Sequence, residues 1–307
     1  MDNFRKGIFF ALITALVSGI SIFINSFAVQ SFNESLFTTL KNLVVVVFLF
    51  SLILILGEFR HLKFLKARNW LQLAFIGLIG GSIPFLLFFN ALSHTPAVNA
   101  GFIHKLMFLF VAVLAVIFLK EKLNRKVFAG SVLLVFAVTL LFGINVQAFN
   151  SFDLMILTAT ALWAAENVYS KHLLKEIQPK ILAFGRMFFG SVFLLLFLAF
   201  TGKLALINSL TSIHFLWLLI TSLFLFAYVL FWYSSLQKIP VSLATSILLL
   251  GLPVTALLNS LFTGKAIFPV PFIAYAVLAI GLYLLINCGE KEFFLKPKTV
   301  GVKKWLK

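Results

Sequence analysis

Asn90-Ala91-Leu92-Ser93-His94-Thr95-Pro96-Ala97 has a counterpart at an offset of 144, Ser234-Ser235-Leu236-Gln237-Lys238-Ile239-Pro240-Val241. Each is a short polar stretch between two long apolar runs, and each closes on a proline. Proline lacks an N–H and presets its backbone for a helical first turn, so each stretch reads as the end of one helix and the start of the next. At an offset of 146, Ala15-Leu16-Val17-Ser18-Gly19 lies opposite Ala161-Leu162-Trp163-Ala164-Ala165. Two matches at nearly one offset, one of them anchored in a loop, indicate an internal repeat of about half the chain.

The runs around these anchors have the length of membrane spans. A helix needs about 20 apolar residues to cross the hydrocarbon core. Ten segments qualify: 7–28, 36–56, 70–92, 97–119, 127–145, 153–173, 181–201, 213–236, 241–263 and 270–288. Their connections are short, so neighbours pack as antiparallel hairpins. The composition agrees: 62% of the 307 residues are hydrophobic, 11% are charged and 39 are Phe, with a mean hydropathy of +1.10. A soluble chain of this size cannot hide that much apolar surface, whereas a lipid-facing exterior should be apolar. At the N-terminus, Arg5 and Lys6 precede the apolar run and Ser26-Phe27-Ala28 resembles a cleavage site. The run exceeds the ~7–15 residues of a signal-peptide core, which favours an uncleaved first helix.

The net charge of +16 would suggest nucleic acid in a soluble protein. Here its distribution orients the chain. Of 25 Lys and Arg residues, 20 fall on one alternating set of loops and the tail, and Lys203 and Lys265 alone fall on the other. By the positive-inside rule both termini are cytoplasmic and the span count is even. With five helices per half, an odd number, the second half enters the membrane from the opposite side. The expected fold is an all-α membrane protein of ten transmembrane helices in two inverted five-helix repeats, residues 1–146 and 147–290. A basic cytoplasmic tail, 291–307, follows near anionic headgroups. In such folds the binding site lies near the midplane between the repeats.

The loop-anchored stretch 90–97, with the exit of helix four, Phe118-Leu119-Lys120-Glu121-Lys122-Leu123, resembles the EamA family of the drug/metabolite transporter superfamily. That family has a short turn of this pattern, a helix of small residues and a Glu just past its end. Residues 130–142 also fit its glycine-and-leucine pattern loosely. The chain departs from the family where Leu109 stands for a common proline, kept in the second half as Pro253, and where Lys265 is the counterpart of Glu121. The resemblance implies ten helices and the movement of amino acids, small metabolites or drugs, often outward.

Charges set deep in spans are costly and face a cavity or a partner. Lys105 lies about 12 Å into helix four, next to His104. It reads either as an anion or proton-coupling site or as a snorkelling or structurally paired lysine. Glu166 lies about 10 Å into helix six, and Arg186 is at similar depth in helix seven. They form either a structural ion pair or, through Glu166, a site for a substrate ammonium or a proton. Glu166 with Lys105 would then suit the two ends of a zwitterion. Lys41, near the outer end of helix two, is expected to snorkel. Gly80-Gly81-Ser82-Ile83-Pro84 in mid-helix three reads as a kinked cavity wall or a packing notch. Asn25, Asn90, Trp163 and Tyr228 are further substrate-binding candidates, each with a plain reading as interhelical glue.

Other chemistry finds no support. There is no Walker loop, HExxH or Gly-x-Ser-x-Gly motif. The five His are scattered, and the single Cys288 excludes an intrachain disulfide and a Cys-rich metal site. A membrane-embedded lipid-modifying enzyme would need clustered His or acidic residues at one face. No catalytic residue, metal or cofactor is therefore expected. The sequence points to a secondary transporter of small polar metabolites such as amino acids, working by alternating access in the cell membrane. An organic-anion or sugar-phosphate exchanger is the alternative. Its partners would be a small-molecule substrate, membrane lipid and a proton or counter-substrate, with no nucleic acid. Oligomeric state is left open.

Overall fold

The structure, a computed structural model, describes residues 2–121, 124–142, 149–264 and 272–287. Lys265, Cys288 and the 291–307 tail lie outside them. The described residues form fourteen α-helices and two short 3-10 turns, without strands. The first half contains α1 (Asn3–Ala28), α2 (Glu34–Ile55), the short α3 (Phe59–Lys63), α4 (Ala67–Gly81), α5 (Ile83–Leu92), α6 (Ala97–Lys105), α7 (Met107–Leu119) and α8 (Arg125–Phe142). The second contains α9 (Ser151–Leu173), α10 (Pro179–Phe200), α11 (Ser212–Lys238), α12 (Val241–Leu248), α13 (Gly251–Thr263) and α14 (Phe272–Ile286).

Among the described residues, seven helical stretches are long and apolar enough to cross a membrane: Asn3–Ser31, Glu34–Ile55, Ala67–Leu92, Ala97–Leu119, Pro179–Phe200, Ser212–Lys238 and Val241–Thr263. Three of these are broken rods, α4–α5, α6–α7 and α12–α13. The other expected segments coincide with α8, α9 and α14. Of these three, α9 is the least apolar because it carries Asp153, Glu166, Asn167 and Lys171. Large apolar side chains such as Phe9, Val47, Phe75, Phe118 and Phe200 cover the exterior, while Thr14, Thr38, Asn42, Ser131, Thr160 and Ser222 are buried. This inside-out distribution is what a lipid solvent selects, because interhelical polar contacts and close packing replace the hydrophobic drive.

Two of the three breaks have local causes. Pro84 has no N–H to give the Gly80 carbonyl, and the chain turns out of helix at Ser82 (φ −131°, ψ −73°). Pro253 likewise leaves the Leu249 carbonyl without its usual donor, and the Leu252 N–H takes that carbonyl at 3.0 Å in a tightened turn. Leu109 occupies the matching place in the first half, yet α6 and α7 also part at Leu106, 144 residues before Leu250.

The halves share further devices. Gly57 and Gly202 adopt φ +67° and +68° just past the ends of α2 and α10. Lys120 (φ 54°) and Gly264 (φ +67°), again 144 apart, end α7 and α13 in the left-handed conformation that turns a chain out of a helix. Packing repeats too: α1 lies on α11 as α9 lies on α5, α1 on α13 as α9 on α7, and α4 on α10 as α11 on α2.

Glu121 ties the halves at one end. Its Oε1 accepts from the Val241 N–H (3.0 Å), and its Oε2 accepts from the Ser242 N–H (3.3 Å) and Oγ (2.7 Å), at the start of α12. Lys171 Nζ donates to the Leu236 and Ile239 carbonyls (2.5 and 2.9 Å) at the end of α11. An anion at a helix start and a cation at a helix end both complement the helix dipole. Glu121→Ala is expected to lower stability by about 1–2 kcal/mol, as loss of a cap does. A melting curve on purified protein checks it, and an unchanged midpoint would remove Glu121 as a cap.

Candidate functional site

A buried cavity of about 80 Å³ lies between the halves, with room for several waters or a small charged group. Its first-half walls come from α1 (Ser18, Ser21, Asn25), Lys41 of α2, three Phe of α5 and His104 of α6. Its second-half walls come from α9 (Trp163, Glu166, Asn167), Arg186 of α10 and α11 (Tyr228, Trp232). A larger groove of about 520 Å³, beside Phe75, Phe118 and Tyr169, is mainly apolar and faces outward. It lacks the convergent polar groups of a binding site.

The broken helix builds the polar wall. The Gly80 carbonyl, freed by Pro84, accepts from Trp163 Nε1 (2.9 Å) and Arg186 Nη2 (2.8 Å). The Gly81 carbonyl accepts from Asn42 Nδ2 at 2.9 Å. Broken backbone in a span is tolerated where protein groups take up the freed carbonyls, and here three side chains do so. The Gly-Gly-Ser-Ile-Pro stretch therefore serves as a packing notch at a kink, and the cavity lining on this helix begins just after it, at Phe85. A Cβ on Gly80 would overlap Glu166, and one on Gly81 would overlap the Arg186 backbone.

Glu166 is 1% exposed. Its Oε1 accepts from Ser170 Oγ (2.5 Å) and Tyr233 Oη (2.6 Å), and its Oε2 stands 4.0 Å from Arg186 Nε. The Arg186 guanidinium lies over Phe85, 5.4 Å from the ring centre. Its Nε, like His104 Nδ1, has no hydrogen-bond partner among the described residues. His104 stands edge-on to Trp163 at 5.1 Å. Trp232 Nε1 donates to Asn167 Oδ1 (2.7 Å), and Tyr228 stacks on Trp232.

Of the residues singled out in the sequence, Asn25, His104, Trp163, Glu166, Arg186 and Tyr228 meet at this cavity. Lys105 and Asn90 are placed elsewhere. Lys105 is buried behind the wall, where its Nζ donates to Ser18 Oγ at 2.6 Å and its stem passes Gly251 of α13. The Asn90 carbonyl accepts from Ser93 Oγ and bonds His94 Nδ1, which completes the turn before α6. Lys41 departs from the expected snorkelling. It is 1% exposed and lines the cavity, because Asn25 and the ring of Phe89 hold its ammonium inward. Sequence reading also missed Asn167, Trp232 and Tyr233. For Lys41 a signal existed: Thr38, Lys41 and Asn42 recur at helical spacing, and a polar stripe faces protein, not lipid.

Comparison with known proteins agrees with this architecture. A model of the EamA-like transporter family matches residues 5–143 and again 150–287. The chain is similar to an uncharacterized transporter in the cobO 3′ region of a Sinorhizobium species, at 28% identity over 122 residues, which is 40% of this chain and 86% of that protein. It is also similar to the uncharacterized transporter YyaM of Bacillus subtilis strain 168, at 31% identity over 144 residues, or 45% of this chain and 46% of that one. The chain thus spans about half the length of YyaM. A crystal structure shares the fold with a TM-score of 0.65 at 16% identity, covering 92% of this chain and 94% of that one. Two family matches in tandem span nearly all of the sequence: the chain belongs to the EamA-like transporter family, within the drug/metabolite transporter superfamily of multi-pass membrane proteins.

Proposed function

We propose that this protein is a secondary transporter of small polar metabolites such as amino acids, in the cell membrane with both termini cytoplasmic. Ten spanning helices form two inverted five-helix repeats, residues 1–146 and 147–290, that rock about the central cavity to expose it to either side in turn. The observation that carries this reading is one buried cavity walled by both halves and holding charges of both signs, Glu166 against Arg186 and Lys41. Helix ends and packing partners that repeat at a near-constant offset support the two-repeat layout. A proton or a counter-substrate would drive the cycle. Lys105, bonded to Ser18 on the cavity rim, would act by positioning α1 against α6.

Proteoliposomes preloaded with unlabelled L-alanine or L-leucine should take up the labelled amino acid. Tyr228→Ala, which removes an aromatic wall of the cavity, should cut uptake by about tenfold or more, as loss of an aromatic anchor does. Unaltered uptake by that variant would move the cargo site elsewhere. The two cations against one carboxylate in the lining favour a second reading, an organic-anion exchanger. Counterflow driven by a preloaded organic anion, and not by either amino acid, would select it.

A further inference from the structure

The cavity holds two cations in different electrostatic situations. Arg186 is engaged: Nη2 donates to Gly80, Nε faces Glu166 at 4.0 Å, and the guanidinium plane rests on Phe85. Lys41 is not. Its Nζ donates to Asn25 Oδ1 at 3.0 Å, and no carboxylate lies within ion-pair range of it among the described residues. An ammonium has three donors, so two remain for something in the cavity. The ring of Phe89 lies 3.7 Å from the nitrogen and that of Phe37 4.9 Å away. Ring faces steady an ammonium but do not neutralise it. Asn25 is itself fixed, since its Nδ2 donates to the Ser21 carbonyl (2.6 Å) and Oγ (2.9 Å), which turns its oxygen toward Lys41. The Lys41 carbonyl in turn accepts from Ser222 Oγ at 3.3 Å. A buried cation is thus built in from two sides, aimed into the cavity and left without a counter-charge.

We propose that Lys41 anchors the anionic group of the cargo, that this group is a monoanion of carboxylate type, and that Asn25 positions the lysine for it. The inference rests on the reading of this cavity as the cargo site. One uncompensated positive charge is neutralised by one negative charge. A divalent phosphate would leave an excess negative charge among Phe85, Phe88 and Phe89. Arg186 and Glu166 then form a separate, internally balanced pole that shapes the far wall.

The test uses purified full-length protein in detergent and paired probes that differ in charge at one group: leucine with leucinamide, benzoate with benzamide, and inorganic phosphate. At a hundredfold excess over Kd a bound carboxylate should raise the melting midpoint by roughly 5 °C, while its carboxamide partner should not. Lys41→Met should weaken carboxylate binding by about 10- to 100-fold, the range for losing a charged hydrogen-bond donor, and Lys41→Arg should retain part of it. Because Lys41→Met replaces an unpaired buried charge by an apolar chain of similar reach, the ligand-free variant should melt no lower than the parent. Should that variant fail to fold, the carboxylate–carboxamide pairs on the parent protein still decide the matter. The proposal is overturned if carboxamides stabilise equally, if phosphate stabilises in place of carboxylates, if no carboxylate stabilises, or if Lys41→Met binds carboxylates as the parent does. Uptake of the stabilising probe into proteoliposomes separates the two ideas. Lysine-dependent binding without uptake would sink the transport reading and keep the anchor, whereas uptake of a probe bound independently of Lys41 would do the reverse.

Discussion

Arg186→Leu is expected to destabilise the protein by about 3–5 kcal/mol, the range for removing one partner of a buried ion pair. Arg186 is 4% exposed and sits where α4, α5, α9 and α10 meet. Its removal leaves the Gly80 carbonyl with Trp163 alone and leaves Glu166, 1% exposed, with two hydroxyl donors and no cation within ion-pair range among the described residues. The charge is then the problem, more than any lost bond. Glu166→Gln should therefore cost less on its own, because a glutamine oxygen still accepts from Ser170 and Tyr233. The double variant should be more stable than Arg186→Leu. Denaturation of the four proteins in detergent, followed by tryptophan fluorescence, completes the cycle. A coupling below about 0.5 kcal/mol, the level at which independent sites simply add, would show that the 4.0 Å separation is too loose to act as a pair.

The same neighbourhood shows what the sequence reveals and what it conceals. Apolar runs of span length are visible without knowing their neighbours, and each of the ten segments is helical through most of its described part, with interior breaks at Ser82, Leu106 and Leu249-Leu250. The break at Ser82 was legible because glycine and proline act locally. The break at Leu106 was not, since Leu109 offers no missing N–H there. The candidate site was legible as a set of polar and aromatic residues in apolar surroundings. Which of two lysines faces the cavity was harder to read. Depth along a helix follows from about 1.5 Å per residue, and by that measure Lys105 outranked Lys41. Facing depends on rotation, about 100° per residue, and on which neighbour supplies the wall. His104 lines the cavity, so Lys105, one residue on, points behind it to Ser18. The acceptor that turns Lys41 inward is Asn25, on another helix. Contacts between helices decide such questions, and one sequence does not state them.

The crossing of α4 and α10 yields the other large effect. A Cβ built on Gly190 would lie 2.5 Å from the Gly81 oxygen, 2.7 Å from its carbonyl carbon and 2.8 Å from its Cα, all of them backbone. One built on Gly77 would lie 2.8 Å from the Gly190 nitrogen. The two helices therefore touch backbone to backbone through small residues, a contact that packing in lipid favours. Nothing at that point can rotate away, so Gly190→Val must separate the helices, at about 3 kcal/mol or more. Separation also draws Arg186, one turn earlier on α10, away from the Gly80 carbonyl that anchors it, so transport should fail even in protein that remains folded. Gly185 on the same helix supplies the control. Its added Cβ would meet the Leu73 side chain, which can change rotamer, and Gly185→Ala should be the milder change. Melting midpoints and uptake should be highest for Gly185→Ala, lower for Gly190→Ala and lowest for Gly190→Val. A Gly190→Val protein as stable and active as the parent would mean that α4 and α10 do not meet at this crossing, and the polar wall built on Gly80 would have no support.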